Sequence, residues 1–390
     1  IVVLISSIVF EDSLPLLPIG IASLHISDVL LLYMLGLILF RWVSGRGEIV
    51  KSPLNLPLFL FCAIAIMSVV MSIKGSGNDF TYVIRLFRPI TYYLLFFIVL
   101  NLVREQHQLR FLVTGLFVIG VSVGIVMIVQ AIIGDSVQLM PGRLEQSATL
   151  DVDFNVLRIL PPGQTLVYLF FITTLAIIAS VSWRTPRQVL GIATLLILGS
   201  GVLLTYNRTY WVATALAYLL LLTLLRERAR KRAVAIVLIM AFAAASLVVF
   251  GGEQLVHETA NAVRTRVASL ITGQELLESG PLNDRHLENG YALEQIRQTP
   301  LFGMGLGGHY RPTIYGPDDD LTYYVHNVYL WLLKDMGIVG GGAFAWFYGW
   351  FLIRWFRNWR SIPDELLRSA VLGSGLALLC VIPMALFNPV

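Results

Sequence analysis

Long apolar stretches separated by short polar breaks occupy most of the chain. A bilayer core asks for about 20 apolar residues per helix. Stretches of that scale lie at Ile26–Val43, Leu54–Ile73, Tyr82–Leu102, Phe111–Ile133, Thr165–Trp183, Val189–Tyr206, Tyr210–Leu225, Ala233–Phe250, Ile338–Phe356 and Ser369–Phe387. Each predicts a membrane-spanning helix, and Ile1–Phe10 reads as the end of one more. The pattern changes between residues 251 and 326. Val256, Ala260, Val263, Val267 and Leu270 fall on one stripe and predict an amphipathic helix. A second helix is predicted from the capping pair Asn283-Asp284, through Tyr291, Leu293 and Ile296, to the stop at Thr299-Pro300. The piece PLFGMGLGG that follows has no strand before it and no clear helix after it. It predicts a loop whose backbone bends sharply or approaches something closely, rather than a dinucleotide fingerprint. The expected fold is all-α, a polytopic membrane helix bundle of about 11–12 transmembrane helices. Its expected parts are a transmembrane bundle over 1–250, an extracytoplasmic helical subdomain over 251–326 and C-terminal transmembrane helices over 327–390.

Composition agrees: 57% of the residues are hydrophobic and 13% charged, and the mean hydropathy is +0.76. The few charges report orientation, because short cytoplasmic loops collect Lys and Arg. Five loops do so, around Arg41–Lys51, Arg104–Arg110, Arg184–Arg187, Arg226–Arg232 and Arg354–Arg368. The Arg226–Arg232 run is therefore a topology signal and not a nucleic-acid patch. Alternation places the residues near Glu11, the loop at Lys74–Asp79, the segment Gly134–Gly163, the tight Asn207-Arg208 turn and the region Gly251–His326 on the opposite, extracytoplasmic side. Cys62 and Cys380 both fall inside apolar stretches and read as packing residues.

The candidate chemistry is concentrated on that outer side. Arg85, Arg88, Arg143, Arg158, Arg208, Arg264, Arg266, Arg285, Arg297 and Arg311 all fall there. Arg85 and Arg88 are three apart on one helix and so share a face. Arg208 is pinned in a turn between two spans. A set of guanidinium groups at one interface suits an anion, because each offers a planar fork of donors that matches phosphate and keeps its charge. The bland alternatives are snorkelling to lipid headgroups, or pairing with acids such as Glu145, Asp151 and Asp153. A lipid-linked diphosphate would fit such a surface, with its polyprenyl tail along the spans. His326 stands where the outer region returns to the membrane, and imidazole is the side chain able to take a proton from a hydroxyl near neutral pH. A capping or packing histidine is the plain alternative.

His326-Asn327, then nine residues, then Gly337, is the pattern by which the chain resembles the O-antigen ligase family of bacterial inner-membrane glycosyltransferases, relatives of the O-antigen polymerases. Asp284-Arg285 with a helix after it, the run Thr299–Gly305 and the Asn207-Arg208 turn fit the same pattern. Tyr291 departs from it, since the family usually carries Trp in that helix. The resemblance covers residues 190–350 well, and the N-terminal half only in its span pattern.

The resemblance implies transfer of a preassembled polysaccharide from undecaprenyl diphosphate to a sugar hydroxyl of the lipid A core, at the periplasmic face of the inner membrane. His326 would deprotonate the acceptor hydroxyl, and the product would be inverted. Arg88, Arg208 and Arg285 would neutralise the leaving diphosphate, with Arg85 and Arg266 as further candidates. No cofactor and no metal is expected. The alternative would be ligands among Asp151/Asp153 or Asp318-Asp319-Asp320. The partners expected are the lipid-linked donor, the lipid A core acceptor and membrane lipids. Two rivals stand beside this: an O-antigen polymerase or protein O-oligosaccharyltransferase using the same donor, and a transporter of a lipid-linked or anionic solute.

Overall fold

A computed structural model describes residues 1–11, 14, 17–19, 22–75, 77–149, 152–181, 185–250, 281–313 and 322–386. The predicted stripe at Val256–Leu270 and the run Asp318–Asp320 lie outside these residues, as do Arg264 and Arg266. The chain divides into two compact units. One comprises Ile1–Thr114, Ser279–Arg354 and Ala385–Val390, and the other Gly115–Glu278 and Trp355–Met384.

The protein is a helical membrane protein with two short β-hairpins. In the first unit α1 spans Val2–Val9, α2 Ile26–Val43, α3 Asn55–Gly75, α4 Phe80–Thr91 and α5 Leu95–Leu102. Strands β1 (Leu17–Ile19) and β2 (Ala22–Leu24) pair antiparallel ahead of α2. Asp79 caps α4 by accepting from the Tyr82 amide at 3.1 Å. Pro89 interrupts the hydrogen-bond ladder of that span, which passes through a 3₁₀ turn at Tyr92–Leu94 into α5. The unit's core joins Phe61, Ile64 and Val69 of α3 to Val83 and Ile90 of α4 and to Leu332 and Met336 further along the chain. Helix α6 covers Gln106–Ile133, and the cut between the units falls within it.

In the second unit β3 (Arg143–Thr149) and β4 (Val152–Leu160) form an antiparallel hairpin with Glu145 across from Arg158. After it come α7 (Gln164–Ser180), α8 (Thr185–Leu204), α9 (Arg208–Leu224) and α10 (Glu227–Phe250). Helix α7 is buried along most of its length. The later helix α11 spans Pro281–Gln298 and α12 Val328–Asn358, both in the first unit up to Arg354, and α13 spans Glu365–Met384 in the second. Gly373 of α13 lets that helix lie directly on α7, where an added Cβ would come 2.6 Å from the Thr173 Cα.

Among the described residues, six helical stretches are long and apolar enough to cross a membrane: Ile26–Val43, Asn55–Gly75, Phe80–Leu102, Gln106–Ile133, Val328–Ser361 and Glu365–Met384. Three more predicted spans appear as shorter apolar helices, Gln164–Ser180, Gln188–Leu204 and Arg208–Leu224, and α10 covers the predicted Ala233–Phe250. Leu32, Leu39, Phe40 and Phe111 remain exposed on these helices, as side chains facing lipid do. Neither hairpin is expected from the span pattern. Helix α11 also starts earlier than its predicted Asn283-Asp284 cap, with Pro281 at its first position, where a missing amide costs nothing.

Candidate functional site

Helix α12 carries the His-Asn-x9-Gly pattern, and the structure gives each residue of it a separate task. Asn327 is the helix cap: its Oδ1 accepts from the amides of Tyr329 at 3.0 Å and Leu330 at 3.2 Å. His326 is thereby left just outside the helix, where its ring turns toward α11. Nδ1 lies 2.8 Å from Glu288 Oε2, and the same oxygen accepts from the His326 amide at 3.3 Å. The Glu288 side chain is 1% exposed and that of His326 29%. The other carboxylate oxygen of Glu288 faces the guanidinium of Arg311 at 3.5 Å, and Arg311 is also buried. Tyr324 sets its ring edge-on to the imidazole at 5.0 Å. With Glu288 ionised, an imidazole that donates its Nδ1 proton to that carboxylate carries its lone pair on Nε2. That is the arrangement of a general base with a fixed tautomer.

Gly337 seats the loop that runs up to three residues short of Arg311. It has φ +66 within α12 and opens the helix there. The loop 299–308 docks into the opening. Met304 and Gly305 amides donate to the carbonyls of Lys334 at 2.8 Å and Asp335 at 3.2 Å, while the amides of Ile338 and Val339 donate to Pro300 at 2.8 Å and Leu301 at 3.2 Å. A Cβ on Gly337 would stand 2.2 Å from the Leu301 carbonyl oxygen, and one on Gly303 2.5 Å from the Asp335 carbonyl carbon. The glycine-rich piece thus approaches another backbone closely, as its composition suggests. The buried Lys334 ammonium bonds the Asp335 carboxylate and the Gly308 carbonyl, and lies over the Tyr310 ring at 5.0 Å. Tyr310 in turn donates to the Tyr324 carbonyl at 3.1 Å. Ser68 and Ser72 of α3 fix the far side of the junction through the Asp335 and Leu306 carbonyls.

Next to His326, and sharing Tyr324 with it, is a cavity of about 470 Å³. Its walls are aromatic and apolar, including Tyr92, Tyr93, Trp331 and Phe344, and Arg85 is the charged side chain among its described lining residues. This shape and polarity suit an apolar chain with an anionic end.

The predicted arginines separate into distinct surroundings. Arg88, 10% exposed, puts Nε on both Asp28 oxygens at 3.1 and 3.2 Å and Nη1 on Glu11 at 2.9 Å. It therefore organises a carboxylate cluster with His25 and Tyr92, and its fork already faces acids rather than the cavity that Arg85 lines, although spacing alone predicts one face for the two. Arg285 precedes Glu288 by three positions on α11 and is half-buried on the same face. Arg208 is the first residue of α9 in the second unit, behind the Asn207 cap. Among the described residues no three His, Cys, Asp or Glu side chains converge on a metal site. Asp151 and Asp318–Asp320, the alternative ligands, lie outside them.

Sequence reasoning does not single out Glu288 and Arg311 as partners of His326. Glu288 carries a signal: with Ala292 four positions on, it falls on the buried stripe of α11, where an ionised acid calls for a partner. Residues 192–347 match the family model described as O-antigen ligase. Over that stretch the chain is similar to the O-antigen ligase family. The family is one of glycosyltransferase-like enzymes acting on lipid-linked polysaccharide. The matched stretch contains Arg208, Arg285, Glu288, Arg311, His326 and Gly337, whereas Arg85 and Arg88 fall before it. No curated protein sequence matches the chain.

Proposed function

We propose that this protein acts as a member of the O-antigen ligase family and transfers a polysaccharide from undecaprenyl diphosphate to a sugar hydroxyl of the lipid A core, with inversion, at the periplasmic face of the bacterial inner membrane. The observation that carries the proposal is the 2.8 Å contact of His326 Nδ1 with the buried Glu288 carboxylate. His326 Nε2 takes the proton of the acceptor hydroxyl. The hydroxyl oxygen attacks the anomeric carbon, and the bond from that carbon to the diphosphate oxygen breaks on the opposite face. The electron pair leaves with the diphosphate, so no external acid is needed at that step. Arg285, one turn from Glu288, and Arg85, on the wall of the cavity, are the proposed contacts for phosphate charge in the first unit. Arg208 and Arg266 are kept as candidates from their places in the sequence alone. Arg88 is given a structural role because Glu11 and Asp28 already occupy its donors. The cavity would take the apolar part of a lipid substrate, and 251–326 would form the outer subdomain.

The transporter reading keeps one observation of its own, a broken helix with a buried Lys334–Asp335 pair, since transporters place such features within the membrane. Here, though, the pair and the break are occupied with the loop 299–308.

The test is a reaction of the purified full-length protein with undecaprenyl diphosphate glycan and lipid A core, no other protein being present, followed by product mass. Lipopolysaccharide formed by wild type and not by His326→Ala, at matched yield in membranes, supports the proposal. A lengthened glycan on the lipid diphosphate would make the enzyme a polymerase, glycan on an added acceptor protein would make it an oligosaccharyltransferase, and full activity of His326→Ala would remove the base.

A further inference from the structure

Lys334 follows His326 on α12, and its side chain is 0% exposed. Stability does not account for a charge there. Apolar residues in place of a buried ion pair are often as stable or more so, and lipid disfavours an ammonium and a carboxylate in a spanning helix. An ammonium does offer what a leucine cannot, three donors that point in different directions. Here it meets the Asp335 carboxylate, the Gly308 carbonyl at 3.3 Å and the face of the Tyr310 ring at 5.0 Å.

Gly308 opens a short segment, and its next three side chains each hold a different part of the base's surroundings. His309 Nδ1 lies 2.5 Å from Thr322 Oγ1. The Tyr310 amide donates to the Thr322 carbonyl at 3.3 Å, and the Tyr310 hydroxyl to the Tyr324 carbonyl at 3.1 Å. Arg311 puts Nη2 3.5 Å from Glu288 Oε1. Thr322 and Tyr324 belong to the backbone that runs into His326, and Glu288 is the carboxylate that His326 Nδ1 faces. One segment thus fixes the imidazole from the chain side and from the carboxylate side. It has no helix or strand of its own, so whatever anchors it decides where it stands. All of these residues lie in the first unit.

We propose that Lys334 is a positioning residue for His326, acting through the segment 308–311. The ammonium fixes the segment at Gly308 and Tyr310. Tyr310 and Arg311 carry that position to Tyr324 and Glu288, and these two hold the ring that takes the proton. Asp335 is the counter-ion that lets the ammonium stay charged in a buried place. The assignment rests on the proposed role of His326 as general base, so its test includes a measurement on the imidazole that needs no glycan.

The experiment uses full-length protein in detergent with Lys334→Met and Asp335→Asn made together, because Lys334→Met alone would leave a carboxylate buried without its cation. The side chain introduced by Asp335→Asn can still accept from the Gly307 amide, as the carboxylate does. Two quantities are read beside the melting temperature. One is steady-state transfer from undecaprenyl diphosphate glycan to lipid A core. The other is carbethoxylation of His326 by diethyl pyrocarbonate at about pH 8, where an ordinary imidazole is neutral, followed by mass in the peptide that contains it. The double variant should melt close to wild type, with kcat at least tenfold lower, KM within twofold and His326 labelled severalfold more slowly. Glu288→Gln should slow labelling too, and all three changes together should slow it by clearly less than the product of the separate effects, since both act on one contact. Labelling and kcat at wild-type levels would overturn the assignment, as would losses that only track the melting temperature or that multiply independently. If wild type transfers glycan and the double variant does so equally well, Lys334 has no positioning role and the proposed function stands. Coupled slowing of the label in a protein that transfers no glycan would support the positioning of His326 and overturn the proposed function.

Discussion

A histidine takes a proton only at the ring nitrogen that does not already carry one, so the partner of Nδ1 decides what Nε2 can do. Glu288 is that partner in this protein. Glu288→Gln keeps the size and some of the hydrogen bonding but removes the charge and permits the other tautomer. It should lower kcat by about 10²-fold or more, the range of general base catalysis, with KM and folding close to wild type, as read from initial rates and thermal melting. Arg311→Ala should fail differently. It leaves a buried carboxylate without its cation, a loss on the order of 3–5 kcal/mol, so the melting temperature should fall together with activity. A melting temperature unchanged in Arg311→Ala would show that Arg311 does not stabilise the buried Glu288 side chain. At Arg208, lysine preserves charge and loses the planar fork; a severe loss of transfer is expected for Arg208→Lys and a greater one for Arg208→Ala, at matched membrane levels. Wild-type transfer by Arg208→Lys would end the bidentate phosphate role.

At the scale of elements, α12 is two helices joined where loop 299–308 enters. Gly337→Ala would drive a methyl group into the Leu301 carbonyl, so the loop must leave its seat. The expected result is loss of activity with a lowered melting temperature. Gly342, five residues further on the same helix, has nothing within 4 Å of an added Cβ. Gly342→Ala should be neutral, or stabilising by about 0.5–1 kcal/mol. The elements also mark what the sequence could disclose. Spans follow from hydropathy, the turn at Asn207-Arg208 from its brevity, and α11 from a stripe and a Thr-Pro stop, because each is a local property. The partner of His326 is 38 residues away, and no period links Glu288 to it; only folding of α11 against the start of α12 does. Arg85 and Arg88 share a face by their spacing, yet an offset of three residues is enough to send one to a cavity and the other to Glu11 and Asp28. The hairpin β3–β4 has period-2 segments, but within a chain dominated by spans it reads as a connection.

For the whole molecule, the proposed chemistry meets the diphosphate charge with guanidinium groups rather than a metal ion. Transfer should therefore survive EDTA, and it should weaken as salt rises, since exposed charge is screened within about 8 Å at physiological ionic strength. Loss of activity on chelation, restored by Mg or Mn, would instead bring Asp151 and Asp318–Asp320 forward as ligands. Salt and chelator titrations of the same preparation separate the two.

The broken helix has a consequence for how the protein is made. Of the six candidate stretches among the described residues, Val328–Ser361 has the lowest mean hydropathy, 1.4, and it holds a Lys and an Asp toward its N-terminal end, side chains that insertion into lipid disfavours. Alone in lipid it would also leave the carbonyls of Lys334 and Asp335 without the loop amides that satisfy them. The chain order meets that need, because residues 300–308 leave the ribosome before α12 does. The loop is already present to receive the segment, and α12 should enter the bilayer poorly when expressed alone, and better with Lys334→Leu and Asp335→Leu, in a glycosylation-tagged insertion assay. Biogenesis of this span is in that sense templated by the piece of chain that precedes it.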